Sequence, residues 1–425
     1  MKKDLFIGKL LDVPESKLWY SNLNWEQKIK LGVRLPQFKN AASDAIVEQM
    51  HWHQVYLADE HDEVIIKEAP NPDYLAYLER QGVRLPQLFI GNPYEHPDKF
   101  RDRPVIPYLL DASNFDFFRE NHSTVIGPPP TLALDLNNKI FTRMLCESHS
   151  IPVSDGVICH HYEQLAPQFH ALQERTQASR FVLKTAYGSS GKNLFHIRDS
   201  KDFEFINAYL SRQREKADFM VSIERWHEVD YNLNAQLLLW NGTCRILAIT
   251  SQEINDVGVY KGSDLNPAVP EQIMEAYKSE LEQLGRILLE QGYQGFAGVD
   301  SIIDKQGRLI PVIEINARLT MVTYMLAIRD QLISDGFAYI AIRFYDLKSP
   351  ERIPFSSLEQ QFEELDLAGQ RGALIYGFHE VLDPKQQIYV YRVFVLCWAR
   401  EKQQLLNLIE YMQGMMDSKK LVEKR

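Results

Sequence analysis

Gly298-Val299-Asp300-Ser301-Ile302-Ile303-Asp304 runs through Lys305-Gln306-Gly307 to Val312-Ile313-Glu314-Ile315-Asn316-Ala317-Arg318, the most informative stretch of the chain. It reads as two strands joined by a tight turn. Glu314 and Asn316 lie two apart and so share one strand face, while Ile313 and Ile315 point to the opposite one. Asp304-Lys305-Gln306-Gly307 has hairpin-turn chemistry, which returns Asp300 to within a rung or two of the Glu314 row. Asp300, Glu314 and Asn316 then converge as three hard oxygen donors, a set suited to Mg²⁺ (or Mn²⁺) holding phosphates. The same alternation also describes a half-exposed hairpin whose polar face meets only water.

Composition sets the frame around that hairpin. The 425 residues, 45% hydrophobic and 24% charged, suffice for two to three globular domains with large cores. A net charge of -10 argues against a nucleic-acid partner, which would demand a basic face. A local basic patch is still available at Arg212, Arg214 and Lys216. Cys146, Cys159, Cys244 and Cys397 stand singly with no CxxC, which fits reduced thiols and excludes a cysteine zinc site of the usual spacing. His51-Trp52-His53 and Cys159-His160-His161 lack a further cluster at ligand spacing and read as loop or sheet residues. No apolar run reaches the roughly 18 residues of a membrane span. Met1-Lys2-Lys3-Asp4 leads directly to Leu5-Phe6-Ile7 and Lys9, so the expectation is a cytoplasmic protein.

The chain divides into three parts. Residues 1–127 mix strand-like runs (Leu5–Ile7, Val64–Ile66, Leu88–Ile90, Val105–Leu110) with helical stretches such as Asp73–Gly82, an α/β domain. No GxGxxG follows any of these strands, so the domain is expected to line a substrate cleft or support its neighbour. Gly127-Pro128-Pro129-Pro130 marks a boundary, because consecutive prolines continue neither a helix nor a central strand. Residues 131–345 carry the chemistry. Residues 350–425 hold apolar strands, Gly372–Gly377 and Gln387–Trp398, and an amphipathic helix from about Lys402 to Met416, a small α+β extension with a charged tail from Lys419 to Arg425.

A second candidate site lies upstream. Phe181-Val182-Leu183-Lys184-Thr185-Ala186 is a strand with one buried-type lysine, and it runs into Tyr187-Gly188-Ser189-Ser190-Gly191-Lys192. Glycines and hydroxyls in such a turn can present successive N–H groups to a phosphate. It is not a Walker loop, which would need Gly at Ala186 and Ser or Thr at Asn193. A flexible hairpin tip with Lys184 snorkelling fits the same residues. Asn137 or Asn138 caps an amphipathic helix that begins at Lys139, itself readable as a surface lysine. Glu224 ends a strand, where a carboxylate suits ribose hydroxyls or simply water. The polar, glycine-punctuated stretch Ser251–Ser263 reads as a lid in which Glu253 and Lys261 meet an amino acid, or as a surface loop. Trp226, Trp240, Tyr231 and Phe296 are expected to pack.

In this order the pieces resemble the ATP-grasp superfamily across about residues 131–330. Its members carry a lysine at a helix start, a strand lysine before a Gly/Ser loop, a hinge carboxylate, an Asp on one strand and Glu-x-Asn on the next. Here these are Lys139, Lys184 with Gly188, Ser189, Ser190 and Gly191, Glu224, Asp300, and Glu314 with Asn316. The resemblance implies an ATP-grasp fold, with a smaller nucleotide-binding part (131–222) and a metal and substrate part (223–345), behind an α/β pre-ATP-grasp domain. It implies that Lys139 and Lys184 contact ATP phosphates, that the loop folds over them, and that Glu224 binds adenosine. Asp300, Glu314 and Asn316 would hold Mg²⁺, and Arg318 would stabilise the transferred phosphoryl or the acyl phosphate. The implied activity is ADP-forming ligation of a carboxylate, an amino acid's, to an amine or a carrier-protein thiol. Layout also resembles a natural-product subgroup: peptide ligases of the pheganomycin type and ligases of the butirosin type, which join glutamate to an acyl carrier protein. Peptide ligation, a small-molecule kinase and a non-catalytic nucleotide-binding protein are the alternatives. A carrier partner, usually acidic, implies a basic docking patch despite the net charge.

Overall fold

The computed structural model describes residues 6–23, 25, 29, 31–35, 40–188, 194–255, 260–363 and 370–418. The N-terminal part is built on four parallel strands, β1 (Leu18–Tyr20), β2 (Glu63–Ile66), β3 (Gln87–Ile90) and β4 (Val105–Pro107), in the order β3-β2-β1-β4. Alternation sends Trp19, Val64 and Ile66 to one core and Leu18, Ile65 and Val105 to another, so both faces are covered. Of Leu5–Ile7, read as a strand, Phe6 and Ile7 instead open the helix Phe6–Leu11, and Leu5 lies outside the described residues. So short an apolar run carries no period to separate the two states.

The middle of the chain forms a small antiparallel sheet of β5 (Gly156–Cys159), β6 (Phe181–Thr185), β7 (Leu194–Ile197) and β8 (Val221–Arg225), ordered β5-β8-β6-β7. Helices Leu165–Thr176 and Ser200–Leu210 cover it, with Phe169 and Phe203 stacked at 4.1 Å. Val33 and Leu35, from the chain between β1 and β2, enter this core. The same segment is tied down by Gly32 N–H donating to Asp218 Oδ2 (2.5 Å) and Lys216 Nζ donating to the Gly32 carbonyl (2.8 Å). That use of Lys216, with Arg214 paired to Glu215, removes much of the basic patch expected there.

The large sheet has eight antiparallel strands: β9 (Val229–Trp240), β10 (Thr243–Ile254), β11 (Tyr260–Asp264), β12 (Gly295–Asp304), β13 (Leu309–Asn316), β14 (Tyr339–Ser349), β15 (Arg371–Asp383) and β16 (Ile388–Ala399). Their order is β13-β12-β9-β10-β11-β14-β16-β15, so the C-terminal strands extend the sheet that holds the hairpin. Leu233, Ala235, Leu237, Val299 and Ile315 pack under the long helix Glu271–Glu290. Period two therefore turns Asn234, Gln236, Asp300, Glu314 and Asn316 to the other face. Ile313 breaks the expected pattern. The ladder slips between Asp300 and Ile302, where β13 carries Pro311, a residue with no N–H to donate, and Ile313 lines the cleft while Val312 enters the core.

The N-terminal part and the C-terminal extension share one core. Tyr56 Oη donates to the Tyr376 carbonyl (2.8 Å), Ile375 N–H donates to Tyr77 Oη (3.1 Å), and Leu405, Leu408 and Met412 of the last helix close the cluster. His53 and His379 meet there through their Nε2 atoms, 3.1 Å apart and both buried. One ring must donate and the other accept, so the two cannot both be protonated at Nε2. Burial lowers His53 to about 3 and holds His379 well below the ordinary range.

Candidate active site

A cleft of about 740 Å³ separates the small sheet from the large one, and both halves of the predicted constellation line it. At its large-sheet end Asp300 pairs directly with Glu314 on one side and with Asn234 on the other. Asp300 Oδ1 accepts from Asn234 Nδ2 (2.7 Å) and Gln252 Nε2 (2.9 Å), and its Oδ2 accepts from Asn316 Nδ2 (3.2 Å). Burial and then the Glu314 carboxylate push Asp300 up to about 6, against the pull of the Asn234 and Asn316 amides and of Lys139. Gly298 keeps the face open: a Cβ there would lie 2.5 Å from Thr320 Cγ2 and 3.6 Å from Asn316 Cβ.

Lys139 joins this end to Gly188, which follows the small-sheet strand β6. Asn138 caps its helix, accepting from the N–H groups of Ile140 and Phe141 (2.9 and 3.2 Å), which fixes Lys139 in the first turn. The buried Lys139 Nζ stands 2.5 Å from Glu314 Oε1 and donates to the Gly188 carbonyl at 2.6 Å. Its N–H donates to the Ala186 carbonyl (2.9 Å). Gly188 holds φ +146°, open to glycine and costly for side chains, where the loop begins. Ser189, Ser190, Gly191 and Lys192 lie outside the described residues.

Lys184 does not snorkel. It lies buried opposite Ser222, and its Nζ donates to Glu224 Oε2 at 2.7 Å. Glu224 Oε1 accepts from Ser222 Oγ (3.0 Å) and lies 3.5 Å from Arg143 Nη1. Burial would raise the Glu224 carboxyl, but the charges of Lys184 and Arg143 and these hydrogen bonds hold it below its ordinary value. Glu224 thus faces the cleft as the centre of a buried charge cluster rather than as an exposed strand end.

Arg318 follows β13 and lines the same cleft. Its Nη2 donates to Asn316 Oδ1 (2.8 Å) and its Nη1 to the Leu319 carbonyl (3.3 Å). The stretch Ser251–Ser263, read as a lid or loop, is mostly the β10–β11 ladder, with Gln252 opposite Ser263 and Glu253 opposite Gly262. Glycine and polar residues on a paired strand look like loop composition. Residues 256–259 lie outside the description. Glu253 pairs with Arg343 (3.0 Å), and Lys261 is exposed on β11. Trp226 lines the cleft edge-on to His196 (4.5 Å), whereas Phe296 packs in the core and Trp240 packs against it, donating to the Leu11 carbonyl (2.8 Å).

Sequence reasoning missed Arg143, Asn234 and Gln252. The amide row Asn232, Asn234, Gln236 alternates with leucine and alanine along β9 and was the available signal for a polar cleft face. Among the described residues no three His, Cys, Asp or Glu are grouped to hold a metal. The hairpin offers two carboxylates and one amide. These are hard oxygen donors, and burial together with the neighbouring Glu314 carboxylate lifts Asp300 to about 6, a penalty a cation would relieve, so the set fits Mg²⁺ completed by phosphate oxygens. Ligation by Asn316 uses the amide oxygen that Arg318 holds.

Fold and site together define an ATP-grasp enzyme. Residues 159–322 match the ATP-grasp domain family, and the chain belongs to it as a ligase that uses ATP. It is similar to the [butirosin acyl-carrier protein]–L-glutamate ligase of Niallia circulans, 30% identical over 393 residues that span 92% of each chain. In fold it is similar to N5-carboxyaminoimidazole synthetase from Staphylococcus aureus complexed with ADP (TM-score 0.59, 13% identity, 95% of this chain and 98% of that one). Phosphoribosylamine–glycine ligase from Thermotoga maritima gives TM-score 0.59 at 11% identity over 95% and 96%. Among the described residues no helix is long and apolar enough to cross a membrane.

Proposed function

We propose that the chain activates an amino-acid carboxylate, L-glutamate, as an acyl phosphate and passes the acyl group to the thiol of an acyl carrier protein in cytoplasmic natural-product biosynthesis. One observation carries the reading: the Lys139 ammonium touches both Glu314 of the carboxylate hairpin and the carbonyl of Gly188, an arrangement suited to metal and phosphate anchors in one site. The relative of the same length supports the choice of glutamate and carrier.

The amino-acid carboxylate oxygen attacks the γ-phosphorus of ATP, the bond to the bridging oxygen breaks, and ADP leaves. The thiol sulfur then attacks the acyl carbon, loses its proton, and expels phosphate. Bound Mg²⁺ would neutralise phosphate charge, held by Asp300, Glu314 and Asn316. Lys139 and Lys184 orient the phosphates, and Glu224 meets the adenosine. Arg318 faces the charge that develops on the transferred phosphoryl. No protein nucleophile is required.

The test incubates the protein with ATP, Mg²⁺ and pooled amino acids, with and without an acyl carrier protein, and records nucleotide product and adduct mass. ADP with a carrier heavier by one glutamyl group is expected. AMP overturns the acyl-phosphate route, and a free dipeptide or a stable phosphorylated compound overturns carrier loading.

A further inference from the structure

Part of the surface on which the Arg318 guanidinium rests comes from the other end of the chain. Its Cζ lies 5.5 Å from the ring centroid of Tyr108, within the reach of a cation–π contact. Tyr108 is the residue after β4, at the carboxyl end of the parallel sheet; it is buried, and its N–H donates to the carbonyl of Tyr20 at the end of β1 (2.7 Å). Arg318 lines the cleft and Tyr108 does not, so the ring stands behind the arginine.

That ring is placed by backbone packing. A Cβ at Gly127 would lie 2.9 Å from Pro107 Cγ, and one at Gly295, where β12 begins at φ +105°, would lie 3.1 Å from Gly127 Cα. Pro107, Gly127 and Gly295 are thus in near contact, which fixes the end of β4 against the strand that carries Asp300. The Arg318 bonds to Asn316 and Leu319 are local and travel with it. Tyr108 ties the guanidinium to a separate part of the fold. A ring face also holds a guanidinium without consuming its in-plane N–H donors, the groups a phosphoryl oxygen needs.

We propose that Tyr108 is a positioning residue for Arg318, through which the N-terminal part takes part in acyl activation without touching substrate. The proposal rests on the role given to Arg318 above.

The test measures ADP release by the full chain with ATP, Mg²⁺ and pooled amino acids for Tyr108→Leu, Tyr108→Phe, Arg318→Met and Tyr108→Leu/Arg318→Met. Tyr108→Leu is expected to lower kcat about tenfold with KM for ATP within about twofold, and Tyr108→Phe to restore kcat. The double variant is expected to match Arg318→Met. Equal loss in Tyr108→Phe and Tyr108→Leu, a change in KM for ATP in place of kcat, or further slowing of Arg318→Met overturns the proposal. Wild-type turnover by Arg318→Met instead overturns the Arg318 role itself. Should Tyr108→Leu fail to fold, fluorinated phenylalanines at position 108 keep the shape and weaken the ring quadrupole. A stepwise fall in kcat with fluorination supports the proposal, and a flat series overturns it.

Discussion

Lys139 and Glu314 form a close ion pair, Nζ to Oε1 at 2.5 Å, between the first turn of a helix and the edge strand of the large sheet. The lysine side chain is 6% exposed and the glutamate 23%, so the pair is largely withdrawn from water. Removing one partner strands the other beside Asp300. Lys139→Met is therefore expected to lower unfolding free energy by about 3 kcal/mol and to raise KM for ATP. Lys139→Met/Glu314→Gln should regain most of the stability and none of the activity. Urea unfolding with parallel ADP assays checks both, and full stability in Lys139→Met would refute the pairing.

Asp300 gives a prediction with opposite signs for stability and function. Its folded pKa of about 6 lies above the ordinary 3.8, so the folded protein binds the extra proton. Its contribution to stability is full below about pH 4 and is lost as pH rises to about 6. Asp300→Asn should leave ligand-free stability at pH 7.5 within about 1 kcal/mol of wild type or above it, because the like charge beside Glu314 is gone. ATP with Mg²⁺ should raise the melting midpoint of the wild type but not of Asp300→Asn. An undiminished shift in the variant would remove Asp300 from the metal set.

Gly298→Ala places a methyl 2.5 Å from Thr320 Cγ2, on the face shared with Asn316. A close approach of this kind costs about 1–3 kcal/mol by overpacking. The expected outcome is a folded protein with a lower urea midpoint and reduced kcat, since Thr320 lies two residues beyond Arg318. An unchanged kcat would show that the face has more room than its geometry indicates.

His53 and His379 contribute to the loss of stability in acid. Both folded pKa values lie below the ordinary 6.5, so the unfolded chain binds more protons once pH falls below 6.5. Their contribution is present above pH 6.5 and is lost as pH falls toward about 3, at up to about 1.4 kcal/mol per unit for each ring. His379→Gln should flatten the decline in urea midpoint between pH 7 and 5, and an identical slope would refute the account.

The hairpin was legible because period two and a turn fix the facing of Asp300, Glu314 and Asn316 within a few residues. Lys139 was legible through its cap. The Ile313 flip was not, since a bulge at Pro311 appears only once the partner strand is known. Gln252 and Tyr108 were hidden for a different reason: each reaches its partner across the sheet or from another sheet, and local pattern carries no record of such meetings. β1, with three residues, was too short to announce a strand.

The segment Gly32–Leu35 has a consequence for how the protein can be taken apart. Val33 and Leu35 fill the core of the small sheet from a position 186 residues ahead of its hydrogen-bonded partner Asp218 for Gly32. A fragment beginning at the proline boundary would expose that slot. The core of the small sheet is not drawn from contiguous sequence alone, so a transplanted module must bring its N-terminal strap along to keep Val33 and Leu35 in place.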